Sequence, residues 1–145
     1  IKYTETAGAR DLGRYNKLRA ITLQGGLAPG YTMGEALAFA LSQGLDLRQV
    51  YSVITQSAGN SWMFQNRAPH VLDADYRPLS AVNIWLKDLG IVKDIATGAG
   101  VPVPLVDTAL AQYRKAAEAG DGGLDDAAVT KVYTRAAGLK LPGEA

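Results

Sequence analysis

The clearest chemical pattern of the sequence is a narrow polar stripe along the helical segment 79–97. An α-helix turns by about 100° per residue, so small or polar residues of this segment share one face: Ser80, Asn83, Lys87, Gly90 and Asp94. A lysine and a carboxylate on such a stripe can hold a polar ligand, and a glycine beside them allows a close approach. Apolar residues flank the stripe, whereas a solvated helix face is normally broad. Two interpretations stay open: the stripe lines a cleft, or it is the exposed face of a surface helix.

A second candidate group is Asn60 and Ser61, which stand at the start of the next helical pattern. The first residues of a helix offer backbone N–H groups without intrahelical partners, and these two side chains add an amide and a hydroxyl. Such a helix start can bind a carboxylate or a phosphate. The alternative is a plain N-cap, which is the usual role of Asn and Ser at this position.

Several other kinds of site are disfavoured by the residue types present. The chain has no cysteine and a single histidine, His70, which excludes thiolate chemistry and argues against zinc. Segment 121–126 lacks the alternate acidic ligands and the closing glutamate of a calcium loop. Neither Gly-x-Gly-x-x-Gly nor Gly-Lys-Ser/Thr occurs in the sequence. We therefore predict no metal site and no phosphate-binding loop within this chain.

Composition and charge indicate an ordinary globular domain. The chain has 145 residues, 48% of them hydrophobic, which is enough for one domain with a real core. Fifteen basic residues against 14 acidic ones give a net charge of +1, and no dense basic stripe points to nucleic acid. No apolar run approaches the ~18 residues of a membrane span, and no signal-peptide pattern opens the sequence. These observations predict a cytoplasmic protein without nucleic-acid or membrane partners.

The elements that must position the candidate residues are all predicted to be helices. Helical patterns bounded by aspartate, proline and glycine follow one another along most of the chain. They cover 35–43, 46–57, 61–66, 69–72, 79–97, 102–119 and 125–137. Strand signals are nearly absent, so the fold class is all-α. Residues 35–138 form the predicted domain and 139–145 a tail, while glycine and proline interruptions leave 1–34 unassigned.

Several motifs, in this order, resemble the C-terminal helical domain of the β-hydroxyacid dehydrogenases. The motifs are Gly59-Asn-Ser-Trp-Met-Phe64, Pro78-Leu-Ser-Ala-Val-Asn83, Lys87-Asp-Leu-Gly-Ile-Val-Lys-Asp94, Pro102-Val-Pro-Leu105 and Asp125-Asp-Ala-Ala-Val129. This family includes 3-hydroxyisobutyrate, tartronate-semialdehyde and L-threonate dehydrogenases. The first motif is most similar to the L-threonate dehydrogenase branch. The resemblance runs from about Glu35 to Tyr133.

The resemblance implies a fold and a division of labour. The fold is a helical substrate and oligomerisation domain of the 6-phosphogluconate dehydrogenase C-terminal type, and residues 1–34 would be a remnant of the interdomain helix. A Rossmann domain, which is missing from this chain, would bind most of the NAD or NADP, and Lys87 would contact that cofactor. Asn60, Ser61 and Asp94 are then the candidate residues for a small hydroxyacid substrate. The resemblance also implies a homo-oligomer, a dimer or a tetramer.

The resemblance supplies no catalytic residue. The lysine that is catalytic in the family would align with Arg19, and Lys17 lacks the family's glycine context. Arginine stays charged at every ordinary pH and cannot exchange protons as a lysine does. We therefore expect this chain alone to be inactive. The alternative to a dehydrogenase domain is a non-enzymatic helical dimerisation or binding module derived from it.

Overall fold

The computed structural model describes residues 14–15, 18–19 and 32–144. All the regular elements within residues 32–144 are helices, apart from one isolated bridge between Ala81 and Asp125, and this confirms the all-α prediction. The two short segments before them form an antiparallel pair, β1 (Arg14–Tyr15) and β2 (Leu18–Arg19). The sequence did not predict this pair, and most of the unassigned segment 1–34 lies outside the described residues. The position of Lys17 lies outside them as well.

The described part of the chain contains six α-helices. They are α1 (Met33–Ser42), α2 (Leu47–Thr55), α3 (Trp62–Leu72), α4 (Val82–Gly98), α5 (Pro104–Ala116) and α6 (Thr130–Ala136). A π-helical turn (Ala117–Asp121) follows α5, and a 3-10 turn (Asp126–Val129) precedes α6. Most of the predicted helices therefore exist, with shifted ends and two irregular turns. None of the described helices combines the length and the apolar character needed to cross a bilayer.

Local signals fix the ends of α1, α2 and α6. Thr32 and Glu35 form a reciprocal capping box at the start of α1. The Asp46 carboxylate caps α2 by accepting a hydrogen bond from the backbone N–H of Gln49 at 2.8 Å. Gly44 follows α1 with φ = 70° and Gly138 follows α6 with φ = 65°. A glycine in the left-handed backbone conformation commonly ends a helix, so the helix ends predicted at these two glycines are confirmed.

The prediction of two short helices at 61–66 and 69–72 is wrong, because α3 is continuous across Pro69. Proline has no N–H to donate to the carbonyl four residues earlier, which here belongs to Gln65. The Tyr51 hydroxyl donates to that carbonyl at 3.1 Å. A partner from α2 therefore satisfies the group that Pro69 leaves free, and the helix continues.

The predicted helix 79–97 begins three residues later than its pattern. Leu79 donates its backbone N–H to the Asp125 carboxylate at 2.9 Å, and the Ser80 carbonyl accepts from the N–H of Asp126 at 2.7 Å. The Ser80 carbonyl, which a helix beginning at Leu79 would use as an acceptor, is thus bonded to a distant segment, and the Leu79 N–H ties the chain to the same segment. Ser80 consequently lies before α4 and does not belong to the polar stripe.

Two apolar clusters hold the helices together. The larger one joins buried residues of α1, α2 and α3 with two later residues: Leu37, Ala40, Leu47, Phe64, Ala68, Val71, Leu72, Ala127 and Leu141. Leu141 lies in the segment predicted as a tail. The smaller cluster consists of Val82, Ala116 and Ala128. Tyr51 stacks on Phe64 with ring centroids 5.9 Å apart, which extends the larger cluster towards α2.

Helix α4 is covered on one side only. Val82 is fully buried and Trp85 stacks on Tyr113 of α5 with ring centroids 5.6 Å apart. By contrast Ile84, Ile91 and Ile95 are exposed by 45%, 50% and 68%. The pattern left two interpretations open, a stripe that lines a cleft or the exposed face of a surface helix, and among the described residues the outer face of α4 has no neighbour. A single helix cannot reveal from its own sequence whether its apolar shoulders have neighbours.

Candidate functional site

Lys87 lies on the open side of α4. Its side chain is 71% exposed, and its Nζ atom lies 3.3 Å from the Asp88 carboxylate. A Cβ built on Gly90, on the same face of the helix, would meet no described atom within 4 Å apart from the neighbouring backbone of α4 itself. Asp94 is exposed one further turn along. The stripe therefore keeps Lys87, Gly90 and Asp94 together on one accessible face.

Asn60 and Ser61 lie at the start of α3, where the sequence predicted a helix start. The Ser61 hydroxyl is the N-cap and accepts the backbone N–H of Phe64 at 3.0 Å. The Asn60 amide donates to the Gln65 side chain at 3.4 Å. Ser61 thus performs the capping role that Ser usually has, and its binding of a substrate stays a prediction.

The four predicted site residues fall into two separate groups. Lys87 and Asp94 belong to α4, and Asn60 and Ser61 to the start of α3. The hydrogen bonds and ion pairs found for residues 32–144 join no member of one group to the other. Across the same part of the chain, no three His, Asp or Glu side chains come together as metal ligands.

Ser61 also borders a cleft of about 270 Å³ that the sequence did not predict. Its walls come from the starts of α1 and α3, from α5, and from the turn before α6 and α6 itself. The polar lining consists of Thr32, Ser61, Arg67, Gln112, Tyr113, Asp126 and Tyr133. Apolar side chains such as Met33, Met63 and Phe64 form much of the remaining wall.

A buried ionic group lies at the base of this cleft. Asp126, 2% exposed, accepts hydrogen bonds from two helices: Arg67 Nε of α3 at 2.7 Å and Trp85 Nε1 of α4 at 2.7 Å. Burial raises the pKa of Asp126 above its ordinary value, and the Trp85 hydrogen bond and the Arg67 charge offset part of that rise. Arg67 also donates to the Asn66 side chain.

Asp125, the preceding residue, is fully buried but has a different environment. Its carboxylate accepts the backbone N–H groups of Leu79 at 2.9 Å and of Ala127 at 3.1 Å. Burial alone would raise the pKa of Asp125, but these hydrogen bonds and the charges of His70 and Arg67 bring it below the ordinary value. His70 Nδ1 lies 3.9 Å from this carboxylate and 2.8 Å from the Asp75 carbonyl.

We refer to Arg67, Trp85, Asp125 and Asp126 together as the buried network. From the sequence, Asp125 and Asp126 were assigned only to the start of the helical pattern 125–137 and to a family motif. The contacts of all four residues were not predicted. One signal was available on α3, where Phe64, Ala68 and Val71 form an apolar face at helical spacing and Arg67 falls on it. A charged residue on an apolar face needs a buried partner, but the sequence does not identify which one.

Comparison of the sequence with models of known protein families identifies the family of this chain. Residues 29–133 match a family model described as "NAD-binding of NADP-dependent 3-hydroxyisobutyrate dehydrogenase". The chain belongs to this family. The match covers every described helix except the end of α6, and it includes both groups of predicted site residues. The resemblance given by the sequence motifs is thereby confirmed.

The curated relatives that this chain matches are dehydrogenases. The chain is 51% identical over 111 residues to an L-threonate dehydrogenase of Cupriavidus necator, covering 77% of this chain and 36% of that protein. It is 50% identical over 109 residues to an L-threonate dehydrogenase of Escherichia coli, covering 75% and 35%. The chain thus spans about a third of the length of the curated relatives it matches.

Solved structures show the same helical fold. A 3-hydroxyisobutyrate dehydrogenase from Salmonella typhimurium matches with a TM-score of 0.68 at 50% identity, over 69% of this chain and 35% of that one. A 3-hydroxyisobutyrate dehydrogenase from Mycobacterium tuberculosis, whose structure includes L-serine, matches with a TM-score of 0.62 at 29% identity. That second match covers 68% of this chain and 36% of the other.

Proposed function

We propose that this chain is the helical part of an NAD(P)-dependent dehydrogenase that oxidises a small 3-hydroxy acid of the L-threonate or 3-hydroxyisobutyrate type. The family match over residues 29–133 supports a role in nicotinamide-dependent chemistry. The names of the relatives support the class of substrate. Because the chain spans about a third of those relatives, the activity proposed is that of a larger protein.

The observation that carries this proposal is the open face of α4. Lys87 presents an exposed ammonium there, and no described residue outside α4 comes within 4 Å of a Cβ built on Gly90. A charged donor beside a glycine fits a bulky anionic group such as the cofactor's phosphates, since the amine can donate up to three hydrogen bonds. The residues of this face therefore fit a dinucleotide, with Lys87 as the group that holds it.

We propose that the remaining predicted site residues bind the substrate. Asp94 on the same face can accept hydrogen bonds from hydroxyl groups, and the Asn60 amide is exposed at the start of α3. We assign both, with Ser61, to the hydroxyacid. When bound, the nicotinamide supplies the hydride acceptor for the oxidation. The side chains of this chain would bind and orient, and we assign no proton transfer to any of them.

A chimera tests this function directly. The segment of the Cupriavidus necator L-threonate dehydrogenase that matches this chain is replaced by residues 32–144, and reduction of NAD⁺ and NADP⁺ is followed with L-threonate and 3-hydroxyisobutyrate. We expect turnover with at least one acid. A chimera that melts at the parent's temperature but oxidises neither acid would overturn the proposal.

Lys87 is tested in the same chimera. Losing a charge-assisted hydrogen bond costs about 1.5–3 kcal/mol, so Lys87→Ala should raise the cofactor Kd by about 10- to 150-fold. Lys87→Arg should restore only part of the affinity because a planar guanidinium differs in shape from an ammonium. The matched control is Lys93→Ala, which removes a lysine of α4 that pairs with Asp107 at 2.7 Å. Equal effects of Lys87→Ala and Lys93→Ala would contradict the assignment.

A non-enzymatic dimerisation or binding module is the second candidate function. It is favoured by the exposed isoleucines of α4 and by Trp62, which is 69% exposed, because apolar patches of this kind commonly mark interfaces. The coding sequence upstream of Ile1 separates the two candidates. A strand, a Gly-x-Gly-x-x-Gly turn and a helix there support the dehydrogenase, and their absence supports the module.

Self-association is proposed under both candidate functions. We expect the 145-residue chain to sediment as a dimer or a tetramer at micromolar concentration, because burying its apolar surface takes a partner subunit. A purely monomeric boundary would contradict this expectation.

A further inference from the structure

We propose that Asp126 is a positioning residue that fixes the rotation of α4 about its axis, and thereby the direction in which Lys87 points. This inference rests on the proposed function, because it matters to the reaction only if the Lys87 face meets the cofactor. Asp126 itself lies too deep to reach that face, since its side chain is 2% exposed whereas that of Lys87 is 71% exposed.

The geometry of α4 links the two residues. Trp85 and Lys87 are two residues apart, so they project from the helix about 200° from each other. Trp85 points inward and donates its indole N–H to the Asp126 carboxylate at 2.7 Å. Any rotation of α4 that moved Lys87 sideways would also carry the indole away from its acceptor.

Helix α4 has other anchors, but they restrict its rotation less directly. Its first turn is held by backbone bonds from Val82 to the Leu124 carbonyl at 2.9 Å and from Asn83 to the Gly122 carbonyl at 3.0 Å. Beyond that turn, the outer isoleucines are exposed and Trp85 stacks on Tyr113 of α5. Lys93 pairs with Asp107 of α5 at 2.7 Å, but both side chains are about half exposed, and such pairs hold a helix weakly. Stacked rings can slide, whereas a hydrogen bond has a preferred direction. The bond to Asp126 therefore restricts the rotation more sharply than the stacking does.

Asp126 can serve as a fixed point because another helix holds it. Arg67 of α3 donates to the other carboxylate oxygen at 2.7 Å, and the backbone N–H of Asp126 donates to the Ser80 carbonyl at 2.7 Å. One carboxylate thus accepts from α3 and from α4 at once. Both bonds are satisfied in a single relative arrangement of the two helices, which is how a buried polar network imposes a unique geometry.

Distance measurements between spin labels test this inference without any cofactor. The chain has no cysteine, so Lys87→Cys and Val53→Cys create two clean labelling sites, the second on an exposed position of α2. A helix has a radius of about 5–6 Å with its side chains, so a rotation of about 30° moves the label at 87 by about 3 Å. We expect Trp85→Phe, which keeps the aromatic ring but lacks the N–H donor, to shift or broaden the 53–87 distance distribution by that amount.

Three further variants complete the experiment. Asp126→Asn should give the same change as Trp85→Phe, while Tyr113→Phe, which keeps the ring stacked on Trp85, should leave the distribution unchanged. Labels at Phe39→Cys and Val53→Cys report the arrangement of α1 and α2 and should not respond to any of these changes. If Asp126→Asn does not fold, Trp85→Phe alone decides, because it leaves the Arg67–Asp126 ion pair in place.

The outcomes are distinct. An unchanged 53–87 distance in Trp85→Phe overturns the inference. Equal changes in the 39–53 and 53–87 distances also overturn it, because they indicate a general loss of structure. Failure of the proposed function would appear instead as a chimera without turnover, and these distances do not depend on that result.

Discussion

Helices α3 and α4 are both rich in apolar residues, yet their surroundings differ sharply. In α3 the buried residues are Phe64, Arg67, Ala68, Val71 and Leu72, and the helix contributes to the main core. In α4, which is six residues longer, only Val82 is buried. The core-facing apolar residues of α3 are therefore covered by neighbouring helices. Apart from Val82, the apolar residues of α4 are at most partly covered by the described residues. Burial is therefore concentrated at α3, whereas the accessible face that carries Lys87 and Asp94 lies on α4.

The largest expected loss of stability comes from a substitution in the core at α3. Phe64 is 1% exposed and stacks on Tyr51. Phe64→Ala should lower the free energy of unfolding by about 3–5 kcal/mol, because the change removes buried contacts and leaves a cavity. Urea denaturation followed by circular dichroism measures this loss. The control on α4 is Ile95→Ala, at a position 68% exposed, where a change within about 0.5 kcal/mol is expected at a protein concentration that keeps the chain monomeric. Equal losses at the two positions would refute the contrast between the helices.

A somewhat smaller effect is expected at the ion pair that joins the two helices. Arg67→Ala leaves the Asp126 carboxylate buried without its charged partner, and such an uncompensated charge costs about 3 kcal/mol. The matched control is Arg48→Ala, because Arg48 pairs with Asp73 at the surface at 2.7 Å and exposed pairs contribute about 0–1 kcal/mol. Chemical denaturation of both variants checks the difference. A loss at Arg67 no larger than that at Arg48 would show that the buried pair does not stabilise the fold.

The next prediction concerns acid stability. The pKa of Asp125 is lower in the folded chain than in the unfolded chain. Its contribution to stability is therefore present above the unfolded value of about 3.9 and is lost as the pH falls through the folded value. Asp125→Asn should have a lower Tm than the parent at pH 6 and a smaller further drop between pH 5 and pH 2.5. The control is Asp107→Asn, which alters a half-exposed carboxylate. Parallel Tm profiles for parent and Asp125→Asn would contradict the assignment.

The smallest expected effect is that of Lys87→Ala on stability. Lys87 is exposed and paired only with its neighbour Asp88 among the contacts described. Its removal should change the free energy of unfolding by less than about 0.5 kcal/mol, while weakening cofactor binding in the chimera. Thermal melting of the two proteins checks this. A loss above 1 kcal/mol at this position would mean, on the scale of surface substitutions, that the lysine is structural.

The sequence predicted much of the fold from local signals. Glycines at 44 and 138, the cap at Asp46 and the helix formers between them determined where helices run, because these effects act within one turn of the chain. The ordered motifs predicted the family, which the comparisons confirm. The candidate residues Asn60, Ser61, Lys87 and Asp94 were also chosen from the sequence. Their roles in binding are proposals that the experiments above test.

Only the tertiary structure decided how the helices meet. The continuity of α3 across Pro69 depends on the Tyr51 hydroxyl, which donates to the carbonyl that proline leaves free. The buried network depends on contacts between residues far apart in the chain, such as Arg67 with Asp126. No local pattern specifies these contacts, since a hydrogen bond between distant residues depends on the positions of whole helices. The sequence by itself therefore determined the helices and their family, while the exposure of α4 and the anchoring of its inner face were decided by packing.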